Sequence, residues 1–96
     1  MRDYVFTTEA ETALESHVDY LLDQYAFRAA QELLTHIEIF VARTLCLFPA
    51  MGRRIEQKDI WETWIPGTRI VLWYRFDDEM VTVITLWHTA QDRLLQ

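Results

Sequence analysis

The spacing of apolar residues shifts repeatedly along this chain, and each shift marks an element. Residues 3 to 7, Asp-Tyr-Val-Phe-Thr, combine aromatic and β-branched side chains suited to a half-buried pleated surface, and predict a short first strand. Helical spacing takes over at once: Ala10, Leu14, Val18 with His17, Leu21 with Leu22, and Tyr25 form one apolar stripe. This helix is expected to run to about Gln24, with Thr8 as its N-cap and Glu11 completing a capping box. A broader apolar face made by Ala26, Ala30, Leu33, Leu34, Ile37, Phe40, Val41, Leu45 and Phe48 predicts a second helix, which Pro49 stops. A tight turn belongs near residues 25 to 27. One unbroken helix of about 40 residues would run roughly 60 Å and overshoot so small a domain.

Residues 50 to 59 are polar and mixed in charge and read as a loop. Three strands follow at residues 60 to 65, 69 to 76 and 80 to 88, separated by Pro66-Gly67 and by Asp77-Asp78-Glu79. The predicted order β-α-α-β-β-β is an α+β fold in which a helical hairpin covers one face of an antiparallel sheet. The whole chain, residues 1 to 96, is expected to form one domain, with a helical turn or frayed segment after residue 88. In the middle strand of the meander, alternation separates Ile70, Leu72, Tyr74 and Phe76, the expected core face, from Arg69, Val71, Trp73 and Arg75. The second set mixes bulky apolar groups with guanidinium groups, as partner-binding surfaces do.

Composition narrows the function. With 51% hydrophobic residues, four Trp and only two Gly and two Pro, the chain is rich enough in apolar groups to fold. A single cysteine, Cys46, excludes an internal disulfide and a multi-cysteine metal site, and no cofactor is expected. Neither a signal peptide nor an apolar run of membrane-spanning length is evident, so a soluble cytoplasmic protein without membrane partners is expected. The net charge of -6 argues against unaided, non-specific nucleic-acid binding. Residues 1 to 48 hold three Arg against eight acidic residues, while residues 49 to 96 hold six basic groups against seven acidic ones.

Across nearly its full length the chain resembles the RelE/ParE toxin superfamily, and its ParE-like branch in particular. The resemblance rests on the order of elements and on several short matches. These are Phe6 and Ala10 followed by Leu14, the junction over residues 25 to 30, and Phe48-Pro49 with Gly52 at the helix exit. Later in the chain come residues 71 to 75 as the penultimate strand, then residues 83 to 88 with Asp92-Arg93 beyond them. It implies the toxin component of a type II toxin-antitoxin system, held silent by a co-encoded antitoxin whose flexible segment docks by helix-in-groove and added-strand contacts. ParE-like members inhibit DNA gyrase and are not known as nucleases. RelE-like members cleave messenger RNA on the ribosome, using clustered basic residues and often a terminal Tyr or His.

Within that frame the residues leave the target open. For RNA cleavage, His88 is the candidate acid or base, with Arg53, Arg54, Arg69, Arg75 and Arg93 as candidates to hold phosphate. Lys58 is the sole lysine and no Tyr follows His88, so the basic cluster is thin, and protein binding to gyrase without catalysis is favoured over the ribosome and its mRNA. A degenerate member that only binds its antitoxin is the third reading. Trp73 with Arg69 and Arg75 reads as an Arg-aromatic contact surface, to which Arg53, Arg54 and Arg93 add charge. A solvated role is the plainer reading for the Arg53-Arg54 pair and for Arg93. Trp61, Trp64 and Trp87 read as core or interface packing, and His17 and His36 as structural residues on helices.

Overall fold

The computed structural model describes residues 2 to 55 and 58 to 89. Strand β1 (Asp3–Phe6) leads into helix α1 (Thr8–Asp23) and helix α2 (Phe27–Ile39), which continues as a π-helical segment, Phe40–Leu45. A 3-10 turn, Pro49–Met51, precedes β2 (Arg53–Arg54), β3 (Trp61–Trp64), β4 (Ile70–Phe76) and β5 (Met80–His88). The five strands form one sheet in the order β1-β5-β4-β3-β2. Among the described residues no helix is long and apolar enough to cross a membrane.

The predicted helical hairpin and three-stranded meander are present, with three corrections. The sheet is mixed, because β1 returns beside β5 in parallel, Tyr4 opposite Val81 and Phe6 opposite Val83. Residues 50 to 59 are not all loop: Arg53 and Arg54 pair with Glu62 and Trp61 and so extend the sheet by one short edge strand. The α1 N-cap is Thr7, not Thr8. Its hydroxyl accepts from Ala10 N (3.1 Å) and donates to the Ile84 carbonyl (2.6 Å), which ties the helix start to β5. With Thr7 as cap the N3 position is Ala10, so Glu11 cannot complete a capping box, although Glu9 and Glu11 still lie at the positive end of the helix dipole.

The break between the helices falls where the length argument put it, at a residue no turn rule would select. Tyr25 adopts φ 57°, Ala26 N donates to Leu21 O (2.9 Å) and Tyr25 N to Leu22 O (3.0 Å). These two bonds are the Schellman pattern that satisfies the last carbonyls of a helix. Between β3 and β4, Thr68 N donates to Ile65 O (3.1 Å) and Gly67 sits at φ 79°, as a type II turn with Pro and Gly at its centre requires. The β4–β5 turn is closed by the Asp77 carboxylate, which accepts from Glu79 N and Met80 N at 2.8 Å each. Those two N–H groups lower the Asp77 pKa.

The core lies between the hairpin and the sheet. Ala10, Ile37, Phe40, Val41 and Leu45 from the helical layer meet Ile70, Leu72, Tyr74, Val81, Val83 and Leu86 from β4 and β5. Cys46 is buried in it as a free thiol, its pKa raised by burial. Tyr74 is wholly enclosed, and its hydroxyl donates to Pro49 O (2.6 Å) and accepts from Gly52 N (3.2 Å). A Cβ on Gly52 would lie 2.5 Å from Glu62 O and 2.6 Å from that hydroxyl, so only glycine lets the chain pass so close to the sheet.

Candidate functional site

Two surfaces gather the candidate residues. The first is the sheet face turned away from the helices. Alternation in β4 sends Ile70, Leu72 and Tyr74 to the core, leaving Trp73 half-buried and Arg75 exposed on the open side. Val71 shares that side but is only 4% exposed, standing in register between Trp64 of β3 and Trp87 of β5. Glu62, opposite Trp73, organises the centre of the face. One carboxylate oxygen accepts from Trp73 Nε1 (2.8 Å) and the other from the Arg53 guanidinium (3.0 Å). Trp87 packs edge-on against Trp73, with ring centroids 5.1 Å apart, and the Lys58 ammonium stands 5.9 Å from the Trp73 ring centroid. The result is a tryptophan platform, fixed by one carboxylate and rimmed by Arg53, Lys58 and Arg75.

The second surface is a cleft of about 250 Å³ at the end of the sheet where Gly67 turns, against the helical hairpin. His17 of α1, His36 of α2, Arg69 and His88 of β5 all line it. The His17 and His88 rings stack, 5.4 Å between centroids and 17° between planes. Burial lowers the His17 pKa from 6.5, and His88 beside it adds to the effect.

A bulge decides which surface receives His88. Trp73 pairs with Thr85 but Tyr74 with Val83, so Ile84 is the extra residue. Unbroken alternation from Val81 and Val83 would put His88 on the open face. The extra residue reverses the phase, so Leu86 and His88 join the helical side.

The predicted site residues therefore divide. Arg53, Trp73 and Arg75 are brought together on the open face. Arg54 is exposed opposite Trp61. Arg69 precedes β4 and, together with His88, lines the cleft. Arg93 lies outside the described residues. Sequence reading missed Glu62 as the anchor of Trp73, a link that needs the register of β3 on β4. It also read His17 and His36 apart from His88, although the fold sets all three around one cleft. Trp61 packs on Phe76 at the core margin, centroids 5.3 Å apart, whereas Trp64 is 56% exposed. Among the described residues no three His, Cys, Asp or Glu side chains converge to hold a metal ion.

The chain is thus a small two-layer α+β protein whose open sheet face is rich in tryptophan and arginine. The family profile described as ParE toxin of type II toxin-antitoxin system, parDE, matches residues 4–93, and the chain belongs to that family. Among solved structures it is similar to the chromosomal ParDE TA system from P. aeruginosa, with a TM-score of 0.76 at 14% identity over 92% of this chain and 96% of that one. It is also similar to YafQ from E. coli strain BL21(DE3), with a TM-score of 0.51 at 14% identity over 95% of this chain and 97% of that one. At such identities the likeness is one of fold. Comparison with curated protein sequences gave no match.

Proposed function

We propose that this protein is the toxin of a type II pair, neutralised by a cognate antitoxin, and that it acts by protein contact on DNA gyrase. The observation that carries the choice of target is the position of His88. The one histidine in the sheet half lies on the helical side, stacked on His17, while Arg53, Lys58 and Arg75 border the opposite face. An acid or base on one side of a sheet cannot serve a phosphate held by cations on the other. The tryptophan platform, with aromatic groups at its centre and cations at its rim, has the make-up of a contact surface. Membership in the ParE family supports both the antitoxin and the toxic role.

Cleavage of ribosome-bound mRNA is the second reading, favoured by the meeting of His88, His17 and Arg69 in the cleft. Against it, the stacked imidazoles present faces to each other, and an acid Glu32 shares the cleft. Inducible expression in a host lacking the antitoxin tests the class. Growth arrest relieved by the co-encoded antitoxin is expected, and normal growth at verified soluble expression would defeat the proposal.

A further inference from the structure

The chain has three histidines, one each from α1, α2 and β5, and all three line the same cleft. Seventy-one residues of sequence separate the first from the last, so only the tertiary fold brings them together. Arg69 joins them, and its guanidinium makes no side-chain hydrogen bond or ion pair among the described residues. Leu21, Leu33 and Ile70 supply an apolar floor, and Glu32 is the one carboxylate among the described lining residues. From this arrangement we infer that the cleft binds a small phosphate anion, free or as a monoester, through Arg69 and the surrounding imidazoles.

The chemistry selects among ligand classes. A cation is disfavoured, because Arg69 is a fixed positive charge and no metal-binding triad is present among the described residues. A tetrahedral anion with three acceptor oxygens suits donors arriving from both helices and the β3–β4 turn, and guanidinium and imidazolium groups are strong donors to phosphate. His36 lies against the turn, its Cε1 3.4 Å from where a Cβ on Gly67 would stand, which holds the ring at the cleft wall. With the imidazoles neutral, Arg69 and Glu32 offset each other. An anion held among Arg69, Glu32 and the three imidazoles favours the charged imidazolium over the neutral ring by charge attraction. A cleft of about 250 Å³ is small for a drug-sized ligand but ample for phosphate with a ring-sized ester group. The site stands apart from the gyrase-directed open face, and it is the same cleft in which the mRNA reading would place its chemistry.

Because every histidine of the chain lines the cleft, every imidazole signal reports on it. The full-length chain, labelled with nitrogen-15, would be titrated with inorganic phosphate and with phenyl phosphate, against sodium chloride at matched ionic strength. Saturable imidazole shifts and upward movement of the imidazole titration midpoints are expected. Tighter binding of phenyl phosphate assigns the site to a monoester, and equal binding assigns it to free phosphate. Arg69→Gln should weaken binding by about tenfold or more, since a charge-assisted bond is lost. Arg69 is exposed, so the fold should persist; His36→Gln, also at an exposed position, gives the same comparison read at the other two rings. Shifts no larger than those from chloride, or equal affinity in both variants, would overturn the inference.

Discussion

Tyr25 is the position where the backbone departs furthest from what its side chain prefers. A bulky residue at positive φ costs about 1–2 kcal/mol relative to the right-handed regions, a cost that glycine escapes. Tyr25 is 82% exposed, and its edge-on contact with Phe27, 6.2 Å between centroids, is the only ring contact it makes among the described residues. Tyr25→Gly should therefore raise stability by about 0.5–1 kcal/mol, read as a higher urea midpoint at unchanged slope. A lower midpoint would mean that the Tyr25–Phe27 contact outweighs the strain. The same residue explains why the helix break is legible only through length. The Schellman bonds are backbone bonds, and a tyrosine in the glycine position leaves no mark in the sequence. Gly52 is the reverse case: its role at the helix exit is visible as a glycine, but the reason, close passage over Glu62 O and the Tyr74 hydroxyl, exists only in three dimensions.

Strand β4 shows how much a period of two can reveal. Its core positions follow from alternation alone, and so do the sides taken by Trp73 and Arg75. What alternation cannot supply is the partner across the strand, and here the partner matters: Glu62 holds Trp73 Nε1 and Arg53 at once. The parallel seat of β1 beside β5 is likewise unreadable, because pairing across 77 positions, as from Asp3 to Met80, leaves no local signal. The bulge at Ile84 is a phase slip between Val83 and Leu86, recognisable once the burial of both is known. These placements separate two effects of mutation on the proposed antitoxin contact. Arg75 is exposed and unpaired among the described residues, so Arg75→Ala should weaken antitoxin binding while leaving the urea midpoint unchanged. Trp73→Ala should cost about 2 kcal/mol or more of binding if it is a hot spot. It should also lower stability, since one Glu62 oxygen loses its donor, the other keeping Arg53, and Trp87 is uncovered. Calorimetric affinities unchanged in both variants would move the interface to the helical hairpin.

The sheet divides the molecule into two chemically different sides, and this division is what makes the target testable. On one side lie the tryptophan platform and the cations Arg53, Lys58 and Arg75; on the other lie the three histidines with Arg69. A gyrase-directed toxin needs complementary surface and no proton transfer, so its activity should follow Trp73, Arg53 and Arg75 and be insensitive to His88. A nuclease needs a positioned acid or base, whose loss costs roughly 10² to 10⁴ in rate. His88→Ala removes the ring that stacks on His17 and could loosen the hairpin, so His88→Gln, which keeps most of the volume, should accompany it, with urea midpoints measured for both. The expected outcome is that both variants remain toxic and that purified protein blocks gyrase supercoiling to the same extent as the parent. The opposite outcome has its own signature: messages cut in ribosome preparations by the parent and left intact by both variants at unchanged stability. That result would transfer the function from the open face to the histidine cleft, with Arg69 holding phosphate there and the tryptophan platform left to the antitoxin.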